Sequence, residues 1–209
     1  NLFSMEIQPG IREDITLRIR KDNYMKIVML TGSPHKSGTT SVLADSFCDG
    51  VLESGSSVER FDTASLDINP CTGCGYCRSN EGKCVHADDM EMIYKKLVEA
   101  DVVVLASPLY YFGFTAQLKS AIDRFYAVNP LLRERCRDLY TISAGADQED
   151  WAMDAIRSHA ETMCRYLRWK NCGEVMALGC ASVADLKYTD YEHKARQLGK
   201  KAGRAHDDK

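Results

Sequence analysis

Lys26-Ile27-Val28-Met29-Leu30-Thr31-Gly32-Ser33-Pro34-His35-Lys36-Ser37-Gly38-Thr39-Thr40-Ser41 decides the fold. Its first half is a short apolar run bounded by Gly and Pro, which reads as a buried strand. Its second half is a turn of small and hydroxyl residues that runs into a helical pattern, Val42, Leu43, Phe47, Val51 and Leu52. A strand ending in such a turn brings backbone N–H groups and the positive end of a helix dipole to one point. Such a point attracts an anion. A Walker loop needs Lys directly after its second Gly, but Thr39 follows Gly38. The dinucleotide fingerprint needs three closely spaced glycines, and only Gly32 and Gly38 are present. The hydroxyls of Ser33, Ser37, Thr39, Thr40 and Ser41, with no acid among them, suit the terminal phosphate of a mononucleotide. An ordinary Ser-rich strand-to-helix turn is the other reading of the same residues.

Outward from this unit, strand and helix patterns alternate. Ser57–Asp62 reads as a second, more exposed strand, and Asp88-Asp89 open a helix with the stripe Met90, Ile93, Leu97 and Val98. The run Asp101–Ser107 is continuously apolar and β-branched, as a parallel strand covered on both faces requires. Phe114, Leu118, Ile122 and Phe125 have helical spacing, Asp138–Ser143 is a fourth strand, and Asp150 is placed to cap a helix carrying Ile156, Ala160, Met163, Cys164 and Leu167. Glu174–Cys180 is a fifth strand, and Tyr191, Ala195 and Leu198 mark a last helix. Five such alternations predict an open parallel α/β sheet with helices on both faces, whose ligand lies beyond the carboxyl ends of the strands. The loops after Thr31, Ser107 and Ser143 are therefore the expected site. Three consecutive aromatics, Tyr110, Tyr111 and Phe112, follow the third strand, where they can cover a flat ring, form a satellite cluster or meet a second subunit.

The 209 residues carry a net charge of −3 and a pI of about 6.0, so no basic field favours nucleic acid. No apolar run approaches the roughly 18–20 residues of a membrane span, and no signal-peptide core opens the chain. A cytoplasmic location is the expectation. Residues 1–24 read as an N-terminal extension, with Asn1-Leu2-Phe3-Ser4 as a tag remnant. Ile15, Leu17 and Ile19 alternate there as in an extra strand or dimer arm, and residues 25–205 form the main domain.

Cys71, Cys74, Cys77 and Cys84 form a C-x2-C-x2-C-x6-C pattern. In a chain without a secretion signal this points to metal or redox chemistry rather than to a disulfide scaffold. Three thiolates at two-residue gaps can meet one small cluster, and Cys84 can close the set. A [4Fe-4S] cluster, a zinc ion and free thiols all remain open. His86, His159, His193 and His206 show no ligand spacing with these cysteines, and Cys48, Cys136, Cys164, Cys172 and Cys180 read as packing residues. Arg133, Arg135 and Arg137 read as a solvated charged loop, with the phosphate of NADPH as the alternative partner.

Taken together, the loop Gly32–Thr40, the segment Cys71–Cys84 followed by Asp88-Asp89-Met90, and Ser107-Pro108-Leu109-Tyr110 with Lys119 and Asp123-Arg124 resemble the flavodoxin-like NAD(P)H-dependent FMN reductases and their iron-sulfur flavoprotein relatives. The likeness covers roughly residues 26–182. It implies a flavodoxin-like three-layer sandwich with a five-stranded parallel sheet in the order 2-1-3-4-5. It also implies that Ser33, His35, Ser37, Thr39, Thr40 and Ser41 hold the FMN phosphate. Pro108, Leu109, Tyr110 and Tyr111 would line the isoalloxazine, and Ser143, Ala144, Gly145 and Ala146 would meet its pyrimidine edge. His35 stands where these proteins often carry Arg, so the charge facing the phosphate would depend on pH. The activity implied is hydride transfer from NAD(P)H through the flavin to a small acceptor such as a quinone or free flavin, with no catalytic residue beyond the flavin itself. Two alternatives accompany it: an electron carrier with a [4Fe-4S] cluster on the four cysteines, and a flavodoxin-like module without redox activity. A homodimer is expected from the same likeness.

Overall fold

The computed structural model of the protein describes residues 24–204. The proposed strand or arm of the N-terminal extension lies outside these residues. At the centre is a five-stranded sheet in the order β2-β1-β3-β4-β5, formed by β1 (Lys26–Thr31), β2 (Ser57–Asp62), β3 (Val102–Pro108), β4 (Asp138–Ala144) and β5 (Lys170–Ala177), every neighbouring pair parallel. The expected order is observed. The connecting helices are α1 (Thr39–Glu53), the one-turn α2 (Tyr76–Ser79), α3 (Met90–Glu99), α4 (Ala116–Arg124), α5 (Asn129–Arg133), α6 (Asp154–Leu167), the one-turn α7 (Val183–Leu186) and α8 (Tyr191–Ala202).

The period-two geometry of strands sorts the core into two layers. Val28, Leu30, Val103, Leu105 and Leu139 point to one face, where Ile93 and Leu97 of α3, Leu118 of α4 and Ile156 and Ala160 of α6 cover them. Ile27, Met29, Val102, Val104 and Ile142 point to the other, against Leu43, Phe47 and Val51 of α1 and Ala195 of α8. Covered on both faces, β3 and β4 are buried along almost their whole length, and this is why they read as unbroken apolar runs. β2 is an edge strand with one buried residue, Phe61.

Some local expectations are corrected. Asp150 does not cap α6: it opens a 3-10 turn, Asp150–Met153, and its carboxylate pairs with Arg157 at 2.8 Å. Arg137 is not solvated. It is 2% exposed, and its guanidinium donates to the carbonyls of Val98, Ala100 and Leu132, tying off the end of α3. Burial, together with the like charge of Arg135, lowers its pKa to about 10, against the pull of Asp101 and Glu134.

The parallel register aligns the strand ends. Thr31 pairs with Ala106, Ser107 with Ser143, and Ala144 with Ala177. Beyond them the ladder continues into the loops: Gly32 N donates to Ala106 O, Leu109 N to Ala144 O, Gly145 N to Ala177 O and Cys180 N to Gly145 O, all at 2.8–2.9 Å. Four loops are thus stitched side by side along one edge of the sheet.

Candidate functional site

These loops enclose a groove of about 400 Å³, lined by Ser33, His35, Gly38, Thr39 and Thr40 on one side and by Pro108, Leu109, Tyr110, Ala144, Gly145 and Ala146 on the other. The sequence places β1 between β2 and β3, so successive crossovers leave on opposite sides and open a crevice here. Gly32 lets the β1 loop approach α4: a Cβ there would lie 2.4 Å from Thr115 Oγ1 and 2.5 Å from Leu118 Cβ. Thr115 caps α4 by accepting from Leu118 N, and its hydroxyl donates to Gly32 O at 2.7 Å.

The hydroxyls of the first loop divide into two groups. Ser33 Oγ and Ser41 Oγ donate to the His35 carbonyl at 3.0 and 3.2 Å, and Gly38 N donates to it at 3.1 Å. Those two serines therefore shape the loop from within. Thr40 Oγ1, by contrast, is buried without a partner. It stands in the first turn of α1, which has neither an acidic residue nor a side-chain cap. The leading N–H groups of a helix have no intrahelical acceptor. Unclaimed N–H groups, an orphaned hydroxyl and the positive helix end are together a fit for a phosphoryl group.

Not every anticipated residue reaches the groove. Ser37 is absent from its wall, and Ser41 lines a neighbouring cleft with Lys36, Arg60 and Asp62. Ser143 lies beneath the floor, fully buried with its hydroxyl unpartnered. Tyr111 points away, 99% exposed. Tyr110 and Gly113 exchange both N–H···O bonds at 3.1 Å, closing a two-residue hairpin turn with Tyr111 and Phe112 at φ of 47° and 65°. Phe112 leaves this turn to stack on Trp151, with ring centroids 5.4 Å apart. Sequence reasoning missed the fourth wall, Cys180, Ala181, Ser182 and Val183. The loop after β5 lies at the same sheet edge as the three loops chosen, which was the signal available for it. Burial raises the pKa of the Cys180 thiol.

The four motif cysteines line a second pocket, of about 500 Å³, together with His86, Arg124 and Tyr126. All nine cysteines are free thiols. Cys71 and Cys74 are exposed, while Cys77 and Cys84 back onto the core. The Tyr76 N–H and the Thr72 hydroxyl lower the pKa of Cys74. Among the described residues no three Cys, His, Asp or Glu side chains converge as they would around a single ion. Four thiol donors lining one pocket are the donor type that a larger thiolate-held cluster takes. Also among the described residues, no helix is long and apolar enough to cross a membrane.

Comparison with known proteins gives this arrangement a context. The model of the NADPH-dependent FMN reductase family matches residues 25–176. An iron-sulfur flavoprotein of Archaeoglobus fulgidus is 39% identical over 128 residues, 60% of this chain and 58% of that protein. One from Methanocaldococcus jannaschii is 41% identical over 100 residues, 48% of this chain and 51% of that protein. The chain thus matches a little over half the length of these relatives. Among solved structures, an FMN-dependent NADH-azoreductase from Bacillus anthracis in complex with FMN superposes with a TM-score of 0.65 at 17% identity, covering 85% of this chain and 96% of that one. An NAD(P)H:quinone oxidoreductase from Methanothermobacter marburgensis does so at 0.59 and 16% identity, covering 88% and 99%. At such identities the structural likeness speaks for the fold alone. The family match over most of the chain shows that this protein belongs to the NADPH-dependent FMN reductases.

Proposed function

We propose that the protein is an FMN-dependent oxidoreductase that passes a hydride from NAD(P)H through the flavin to a small acceptor of the quinone or flavin type. The observation that carries this reading is the buried, partnerless Thr40 hydroxyl at the uncapped start of α1, across one groove from Leu109, Tyr110 and Gly145. Thr39, Thr40 and the first N–H groups of α1 would hold the phosphate. Pro108, Leu109 and Tyr110 would position the ring system, and the backbone of Ala144–Ala146 would face its polar edge. When bound, FMN supplies the hydride chemistry. The chain's part is to orient and to exclude water, so no acid–base residue is assigned. A homodimer in the cytoplasm accompanies this reading.

A second reading adds a [4Fe-4S] cluster on Cys71, Cys74, Cys77 and Cys84. Its support is the single pocket shared by all four thiols and the naming of several relatives as iron-sulfur flavoproteins. An absorption spectrum of anaerobically purified protein tests both. Two flavin bands that NAD(P)H bleaches support the enzyme, and an added broad shoulder lost with dithionite supports the cluster. Protein that stays colourless after incubation with FMN would refute the flavin assignment and leave a module without redox activity.

A further inference from the structure

The cysteine pocket contains one group that neither reading uses. His86 lines it together with all four cysteines, and His86 Nε2 is buried without a hydrogen-bond partner. Arg124 and Asp123 of the same wall are engaged within the protein. Arg124 is bonded to Asp88, Tyr94 Oη and Asn69 O, and Asp123 accepts from Lys119 at 2.6 Å. Two residues after His86, the Asp88 carboxylate accepts from Arg124 and from the N–H of Asn69. The backbone that carries the imidazole is therefore anchored. A buried polar nitrogen left without a partner is unfavourable, and natural structures rarely keep one without a reason.

We infer that His86 donates a hydrogen bond from Nε2–H to a sulfur of an iron-sulfur group held by Cys71, Cys74, Cys77 and Cys84, and so raises its reduction potential. The inference rests on the cluster reading above. Thiolate and sulfide sulfurs gain negative charge on reduction, and hydrogen bonds to them are among the means by which a protein sets a cluster's potential. A donor that interacts more strongly with the reduced state stabilises it, and its removal lowers the potential. Neutral imidazole suffices for this, with the proton on Nε2.

The test is a dithionite titration, followed by absorption and electron paramagnetic resonance, of full-length protein reconstituted anaerobically with iron and sulfide. Wild type is compared with His86→Leu and His86→Gln, since the Gln amide nitrogen can take the place of Nε2. The expected result is a lower cluster midpoint for His86→Leu, recovery of most of the shift in His86→Gln, and an unchanged flavin midpoint in both. Equal cluster midpoints in wild type and His86→Leu overturn the role of His86 while leaving the cluster reading intact. Wild type that takes up no iron and sulfide removes that reading and this inference with it. Should His86→Leu fail to load, His86→Gln is compared with His86→Asn, whose shorter side chain withdraws the donor. A higher midpoint for Gln supports the inference, and equal values overturn it.

Discussion

Arg124 and Asp88 form a two-pronged ion pair inside the protein, with Nη1 2.7 Å from Oδ2 and Nη2 3.0 Å from Oδ1, and both side chains 1% exposed. The pair does more than neutralise itself. Arg124 Nη1 also donates to Asn69 O, and the Asp88 carboxylate accepts from Asn69 N and Met90 N. Asn69 precedes the first motif cysteine and Asp88 follows the last, so one ion pair on α4 fastens both ends of the cysteine segment. Removing either partner leaves a buried charge unpaired, at a cost of about 3–5 kcal/mol. Urea unfolding of Arg124→Met and Asp88→Asn should show losses of that size. The double variant Arg124→Met with Asp88→Leu should recover only part of it, because the N–H groups of Asn69 and Met90 then lose their acceptor.

The same pair predicts the acid response. Burial opposes ionisation of Asp88, but the hydrogen bond from Arg124 and those from Asn69 and Met90 outweigh it, and the pKa falls below the usual carboxylate value. A depressed folded-state pKa means that the unfolded chain binds the proton first. The contribution to stability is complete above the unfolded value of about 3.9 and disappears as pH falls through the lower folded value. Melting temperatures between pH 5 and pH 2 should therefore drop more steeply for wild type than for Asp88→Asn.

The turn at Tyr111 and Phe112 makes a prediction of the opposite sign. Both residues have positive φ, which costs an L-residue with a Cβ about 1–2 kcal/mol. Tyr111 is almost fully exposed, so packing does little to offset that cost. Tyr111→Asn places a residue suited to this turn there and should stabilise the protein by up to about 1 kcal/mol in thermal or urea unfolding. A loss of stability instead would show that the Tyr111 ring, 5.9 Å from that of Phe112, contributes more than its exposure suggests.

The sheet was legible because its signal is local. Unbroken β-branched runs such as Val102-Val103-Val104 arise from burial on both faces, and β1 with its turn points to the sheet edge where the groove opens. What stayed hidden depends on contacts between distant residues. Asp88 looked like an acid at a helix start, and only the fold brings Arg124 to it across 36 positions. Arg137 reads as solvated because nothing in its local pattern shows that four carbonyls, those of Val98, Ala100, Leu132 and Arg135, enclose it. His86 shows no ligand spacing in the sequence, yet it shares a pocket wall with the cysteines. Hydroxyl-rich composition points to the loop between β1 and α1, but composition cannot tell a serine that braces the loop from a threonine whose hydroxyl stays without a partner.

Close helix packing gives another test. A Cβ on Gly199 of α8 would lie 2.0 Å from Phe47 O of α1, which no rearrangement of a side chain can relieve. Gly199→Ala must push the two helices apart and should lose about 1–3 kcal/mol, despite the higher helix propensity of Ala. A melting temperature equal to that of wild type would show that α8 shifts freely on the sheet.

Thr40 separates binding from folding. Its hydroxyl has no partner in the protein, so Thr40→Val removes a buried polar group without breaking a bond, and FMN-free stability should stay level or rise slightly. If the hydroxyl donates to a phosphate, a hydrogen bond to a charged group worth about 1.5–3 kcal/mol disappears on binding. FMN affinity, read by quenching of flavin fluorescence, should then weaken about tenfold to a hundredfold. Ser41→Ala should behave differently: it loses the bond to the His35 carbonyl at 3.2 Å, so FMN-free stability should fall by about 1 kcal/mol. Equal FMN affinity in Thr40→Val and wild type would remove Thr40 from the phosphate site and, with it, the observation on which the flavin reading most depends.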